Sequence, residues 1–368
     1  MDKFDAAELA LPGIRKLQPY QAGKPIEELE RELGIKDIVK LASNENPLGV
    51  SEKVKSALSA RIAGLARYPD ANGFYLKTAI AEKFGVKPQQ ITLGNGSNDV
   101  LELLARTYVS PQHEVIFSQH AFVVYPLVTQ AIGAQPVKVA AKDYGHDLDA
   151  MLAAITDNTR MIFIANPNNP TGTFLTKEAL YTFIQQVPPY AIVVLDEAYY
   201  EYVPEHERAP SLAWVNEFPN LVVSRTFSKA YGLAGIRAGF AVSSVEVADL
   251  MNRIRQPFNM NELALTAAMA ALEDDDFLTR SVAVNKAGME QLISFCEQEK
   301  LAYIPSHGNF LTIEVGSNAG DIYNQLLHLG VIVRPVAGYE LPNHLRVSIG
   351  TQEENAAFVK AMTQILHG

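Results

Sequence analysis

Lys229 sits in the run Ser224-Arg-Thr-Phe-Ser-Lys-Ala-Tyr-Gly-Leu-Ala-Gly-Ile-Arg-Ala-Gly239, which crowds one amine, several hydroxyls and a second guanidinium into sixteen residues. Thr226 and Ser228 stand just before the lysine, and Arg237 follows it by eight positions. A lysine that is to meet an aldehyde needs a separate anchor for any phosphate its partner carries. Two hydroxyls and a guanidinium make such an anchor, because the planar fork grips phosphate oxygens through two parallel bonds. A Ser-Lys pair carries little weight by itself, so the other parts of a site must come from elsewhere in the chain.

Short Val- and Ile-rich runs at Glu114–Phe117, Met161–Ala165 and Ala191–Leu195 alternate with helical patterns. They suit strands of a parallel sheet covered on both faces. Between the last two, Thr176–Val187 places Leu180, Phe183 and Ile184 on one helical face, and Pro188-Pro189 ends it. In such sheets ligands lie beyond the carboxyl ends of the strands. Polar and aromatic groups stand at those ends: Phe122 and Tyr125 after the first, Asn166-Pro-Asn-Asn-Pro-Thr-Gly172 after the second, and Asp196-Glu-Ala-Tyr199 after the third. The Lys229 run follows a fourth, Leu221–Val223. An aspartate closing an apolar strand is costly to bury without a cationic partner. Upstream, Gly94-Asn-Gly-Ser-Asn98 opens a helix whose free N–H groups at Gly96, Ser97 and Asn98 favour an anion.

The totals fit this picture. At 368 residues with 48% hydrophobic and 20% charged residues, the chain is an ordinary globular protein with room for a large and a smaller domain. A net charge of −10 without a basic run argues against nucleic acid as a partner. Cys296 is the only cysteine, which excludes a disulfide framework or a thiolate zinc site within the chain. The scattered histidines give no metal-binding spacing. The acidic start has no signal-peptide core and no apolar run is long enough to span a bilayer, so a cytoplasmic enzyme is expected. Beyond about residue 260 a long helix (about Asp276 to Lys300), strands at Phe310–Val315, Val331–Arg334 and Leu345–Ile349, and a helix opened by the capping pattern Thr351-x-x-Glu354 read as a smaller α+β unit.

In this order the pieces resemble the fold-type I aminotransferases, which use pyridoxal 5′-phosphate (PLP), over essentially the whole chain. The resemblance implies an α/β fold, with a large domain built on a mostly parallel seven-stranded sheet between helices and a smaller α+β domain. The boundaries expected are an N-terminal arm (1–40) packing with the small domain, a PLP domain (41–260) and a small C-terminal domain (261–368). Lys229 is then the Schiff-base lysine and carries the proton. Asp196 partners the pyridine nitrogen, Asn169 and Tyr199 the ring oxygen, and Phe122 stacks on the ring. Gly96, Ser97, Asn98, Thr226, Ser228 and Arg237 hold the phosphate, joined by Tyr68 from the neighbouring subunit of a homodimer.

Within that superfamily the likeness is greatest to the histidinol-phosphate aminotransferases. It is carried by Pro19-Tyr20, Leu41-Ala-Ser-Asn-Glu-Asn-Pro47, Arg67-Tyr-Pro69, Gly308-Asn-Phe310, Val333-Arg334 and Leu345-Arg346. It implies transamination between L-histidinol phosphate and 2-oxoglutarate. Tyr20, Arg334 and Arg346 would hold the substrate phosphate, Asn46 would lie beside the substrate, and Tyr125 with Phe258 would flank the imidazole. Phe258 cannot donate a hydrogen bond, a departure if a hydroxyl reads the ring there. An aromatic amino-acid aminotransferase and a phosphothreonine-type decarboxylase share the same fold and the same anion-holding arginine, and are the alternatives. A PLP-binding transcription regulator would need a basic helix-turn-helix module, and the acidic residues before Leu41 do not supply one.

Overall fold

The computed structural model describes residues 4–18 and 23–368. Thirteen strands occur among them. In chain order they are β1 Val39–Lys40, β2 Ile91–Gly94, β3 Glu114–Ser118, β4 Gln135–Val139, β5 Thr159–Ala165, β6 Ile192–Asp196, β7 Leu221–Thr226, β8 Gly239–Val242, β9 Tyr303–Ile304, β10 Phe310–Glu314, β11 Val331–Ile332, β12 Arg334–Pro335 and β13 His344–Ser348. Seven form the large sheet, ordered β2-β8-β7-β6-β5-β3-β4. Only β8 runs against its neighbours β2 and β7, and the other pairings are parallel.

The strand interiors explain the sheet. Successive side chains point to opposite faces, and here both faces are apolar. Ile116, Ile162, Ile164, Val193, Leu195 and Val223 pack into one core. Their neighbours Val115, Met161, Phe163, Val194 and Val222 pack into a second on the other face. Thr176 caps the helix Lys177–Gln186, which buries Leu180, Phe183 and Ile184 as its spacing requires. The helix Ser97–Tyr108 buries Val100, Leu101, Leu103 and Leu104, so its first turn is pinned at the sheet edge.

β1, β2, β4, β8 and β9 are not among the strands read from sequence. β4 is mostly exposed and contains Pro136, so it has no buried alternation to betray it. β8 is four residues long and lies at the end of the glycine-rich lysine run.

A second, antiparallel sheet has the order β12-β13-β10-β9. It shares a core with the helices Asp275–Glu299, Ala319–His328 and Gln352–His367 through Leu292, Leu311, Leu326, Val347 and Phe358. The long helix matches its expected span to within one residue at each end, and the Thr351–Glu354 capping box forms. The chain before the large sheet is tied to this second unit: β1 pairs with β11, and Ser348 N donates to Leu41 O at 2.8 Å. That bond fixes where residues 42–46 cross above the ends of the large sheet. Among the described residues no helix is long and apolar enough to cross a membrane.

Candidate active site

The carboxyl ends of β5, β6 and β7 converge on a cavity of about 240 Å³. At the end of β6 Asp196 is 4% exposed. Its Oδ2 accepts from the Tyr125 hydroxyl at 2.8 Å, while Oδ1 is buried with no hydrogen-bond partner among the described residues. Burial pushes the carboxyl up to about 6, against the Tyr125 bond and the nearby Lys229, which favour ionisation. The next carboxylate, Glu197, takes both Nε and Nη2 of Arg225 at 3.0 and 2.8 Å. That buried pair locks the ends of β6 and β7 side by side.

Beyond β7, Lys229 Nζ donates to Ser43 O at 3.2 Å. Burial, followed by the positive field of Arg346, lowers its amine to about 8. Lys229 therefore has a larger neutral, nucleophilic fraction near neutrality than an ordinary lysine, roughly a tenth at pH 7. Thr226 Oγ1 accepts from Ser228 N at 3.1 Å, and Arg237 Nη1 donates to Ser228 Oγ at 3.3 Å. The guanidinium lies against Gly96, where a Cβ would come within 2.4 Å of Arg237 Nη2. A Cβ on Gly239 would meet Ser97 N at 2.4 Å. Two glycines thus let an arginine and a strand close on a helix start whose residues Ser97 and Asn98 line the same cavity as Thr226 and Ser228. Hydroxyls, guanidinium and helix dipole together suit a phosphate.

Tyr199 is buried, and its hydroxyl accepts from Asn44 Nδ2 at 2.9 Å. Burial pushes that phenol up to about 12, so it carries its proton throughout the neutral range. Asn169 and Phe122 line the same cavity. Asn166 braces the loop that carries Asn169, giving to Leu175 O at 3.0 Å and accepting from Leu175 N at 2.7 Å.

The opposite end of the cavity belongs to the second sheet. Arg334 on β12 is the register partner of Arg346 on β13, and both line the cavity. Like charges directly opposite one another destabilise a sheet unless something anionic repays them. Arg346 is 6% exposed and donates to Asn169 Oδ1 at 2.6 Å and Ala42 O at 2.8 Å.

The cavity therefore gathers Ser97, Asn98, Phe122, Asn169, Asp196, Tyr199, Thr226, Ser228, Lys229, Arg237, Arg334 and Arg346, with Gly96 directly behind. Other expectations need correction. Tyr125 does not line the cavity: it is fully buried, bonded to Asp196 and stacked on Phe163 at 4.4 Å. Asn46 does not face the cavity either. Its amide donates to Ala230 O at 2.9 Å and Ser281 Oγ at 2.8 Å, clipping the crossing segment to the residue after Lys229. Phe258 stacks on Tyr68 at 4.7 Å, and Tyr68 is 82% exposed, so within one chain neither lines the cavity. Tyr20 lies outside the described residues. Asn44, to which the sequence reading gave no role, and Tyr339 do line the cavity. Asn44 and Asn46 sit in one polar turn, and nothing in their spacing separates the one that faces in.

The family model described as aminotransferase class I and II matches residues 36–362. The chain is 68% identical to histidinol-phosphate aminotransferase 1 of Idiomarina loihiensis, over 99% of this chain and 100% of that one. It is 58% identical to histidinol-phosphate aminotransferase 1 of Mannheimia succiniciproducens, over 96% and 97% of the two chains. Among solved structures, histidinol-phosphate aminotransferase from Sinorhizobium meliloti, in complex with pyridoxal-5′-phosphate, superposes with a TM-score of 0.90 at 29% identity, covering 96% of each chain. With a family model spanning most of its length and relatives more than half identical almost end to end, this chain belongs to the class I and II aminotransferases.

Proposed function

We propose that this enzyme transfers the amino group between L-histidinol phosphate and 2-oxoglutarate in histidine biosynthesis, with PLP held in the cavity. The observation that carries the cofactor is Asp196. A buried carboxylate with one unpartnered oxygen, facing the same cavity as a half-buried lysine, wants a cationic N–H donor of fixed position. The nitrogen of a pyridinium ring is such a donor. The glycine-backed anion pocket fits the phosphate of the same molecule, and the S. meliloti relative is described in complex with PLP. The substrate rests on the names of relatives 58–68% identical over nearly the whole chain. The facing pair Arg334 and Arg346 supplies the charge that a phosphate dianion needs.

When bound, PLP supplies a carbonyl that takes up the amino group and a ring that draws off electrons as the substrate Cα–H bond breaks. The chain's residues do the rest. Arg237, Ser228, Thr226 and the N–H groups of Ser97 and Asn98 anchor the phosphate, Phe122 covers a ring face, and Asp196 Oδ1 holds the ring nitrogen in its charged form. Tyr199 and Asn169 hold the ring oxygen. Lys229, its amine lowered to about 8, would take the proton from the substrate Cα and return it to the cofactor carbon on the far side of the shared nitrogen. Arg346, Arg334 and Tyr20 hold the substrate phosphate.

The reading includes a cytoplasmic homodimer in which Tyr68 reaches the phosphate pocket of the neighbouring subunit. The outward-held Tyr68–Phe258 stack supports this, with Phe74 and Tyr75 also exposed. It also includes the division into an arm (1–40), a PLP domain (41–260) and a small domain (261–368).

The test is a half-reaction. Histidinol phosphate added to the PLP-loaded protein should convert the cofactor's absorption to that of its aminated form, and 2-oxoglutarate should restore it. A kcat/KM much larger for phenylalanine than for histidinol phosphate would replace this substrate with an aromatic amino acid.

A further inference from the structure

Tyr199 reaches the cavity with one side of its hydroxyl already engaged by Asn44. The orientation of that amide is set from behind. Ser348 Oγ accepts from Asn44 N–H at 2.8 Å and donates to Asn44 Oδ1 at 3.0 Å. This leaves Nδ2 as the group that faces Tyr199, at 2.9 Å. Turning the amide over would present a second donor to Ser348 and strand the serine's own proton in a site only 3% exposed. Asn309 Nδ2 donates to Asn44 O at 3.0 Å, and the backbone holds a left-handed φ of 54°, which asparagine tolerates better than most residues. Tyr199, Asn44, Asn309 and Ser348 are all buried. A phenol has a single proton. With Asn44 donating to the Tyr199 oxygen, that proton has to find its acceptor elsewhere, and Tyr199 lines the cavity.

We propose that Asn44 and Ser348 are positioning residues that aim the Tyr199 proton into the cavity, at the ring oxygen of the bound cofactor. Ser348 stands two residues from Arg346 on β13, on the same face of the strand. The strand that grips the substrate's anion thereby also sets the polarity of the bond at the cofactor, through a residue more than 300 positions earlier in the chain. This inference rests on the PLP reading.

The experiment titrates the absorption of bound PLP against pH and measures PLP affinity, neither of which needs turnover. Tyr199→Phe sets the reference: removing a donor from a charged oxygen should raise the midpoint by about one pH unit. Asn44→Asp, nearly isosteric and tolerant of the same backbone, turns the donor into an acceptor and should raise it as well. Ser348→Ala frees the amide without adding charge and should give a smaller rise. In a Tyr199→Phe background, Ser348→Ala should leave the midpoint where Tyr199→Phe alone puts it. Unchanged midpoints for Asn44→Asp and Ser348→Ala, or an equal Ser348→Ala effect with and without the Tyr199 hydroxyl, would overturn the inference. A wild-type protein that binds no PLP, or whose PLP band is indifferent to Lys229→Ala, would overturn the PLP reading instead.

Discussion

The two ends of the cavity are built to different standards. At the large-sheet end, Asp196 holds a buried oxygen with no partner among the described residues, Lys229 is held below its ordinary basicity, and Gly96 and Gly239 leave no room for a methyl group. Such a place is shaped for one molecule. At the other end, Arg346 already has Asn169 and the Ala42 carbonyl as partners, and Arg334 faces it across a strand pair. That end brings two guanidinium groups to the cavity, and on the proposed reading they serve the substrate's anion. On the roles proposed above, the difference assigns reaction type to the large sheet and substrate choice to the second sheet. Substitutions at the first end should cost every substrate alike, and those at the second should discriminate.

The largest effect belongs to Lys229→Ala. It removes the covalent attachment and the proton carrier together, so turnover should fall by ~10⁴-fold or more with both amino donors. Steady-state assays with histidinol phosphate and with glutamate check this. Retained activity toward either would break the claim that this end serves every substrate.

Asp196 makes a prediction about stability that sharpens the same contrast. Its folded-state pKa, about 6, is above the 3.8 of an ordinary aspartate. Below the lower value both states are protonated and nothing is lost. As pH rises between the two, the unfolded chain releases its proton while the folded chain keeps it, so folding weakens, and above about 6 the loss is complete. In the PLP-free protein, wild type should lose ~2 kcal/mol relative to Asp196→Asn as pH goes from about 4 to 7. Urea unfolding of both proteins across that range reads the difference, and the contrast should shrink once PLP is bound. A flat difference would mean that the carboxyl is not strained in the empty site.

How much of this was legible in the sequence follows the same division. Asp196, Asn169, Lys229 and Arg237 could be placed because each stands just after a buried apolar run or a short, spaced motif, and strand ends share an edge. The helix opened at Ser97 could be placed for the same reason. Tyr125 misled because its aromatic character suggests a wall, whereas only its distance to Asp196 shows that its hydroxyl is needed behind the site. Asn46 misled because it and Asn44 are equivalent in composition, and backbone direction alone decides which one faces inward. The strand pairing that sets Arg334 opposite Arg346 joins segments with no local signal of their register. β4 stayed hidden because an exposed edge strand needs no apolar pattern.

At the second end, Arg346→Gln should raise KM for histidinol phosphate by roughly 30-fold, the worth of a hydrogen-bonded charge of ~2 kcal/mol. Arg334→Gln should cost the phosphate substrate more than it costs 2-oxoglutarate, since the second guanidinium matters most for a dianion. Steady-state KM values for both substrates decide this, and equal losses would remove Arg334 from substrate choice.

The smallest expected effect tests the boundary between the two ends. Gly96 adopts φ 85° and touches the Arg237 guanidinium, but no atom of the second sheet lies among the nearest neighbours a Cβ would meet there. Gly96→Ala therefore carries a backbone penalty of ~1 kcal/mol and pushes Arg237 off the phosphate position. PLP affinity should fall about tenfold, ~1.4 kcal/mol. With PLP at saturation, the KM for histidinol phosphate should stay where it was. Fluorescence titration of PLP into the apoprotein, followed by kinetics at saturating PLP, separates the two quantities. A raised substrate KM with unchanged PLP affinity would mean that strain at the helix start passes through to the arginine pair, and the two ends would have to be treated as one site.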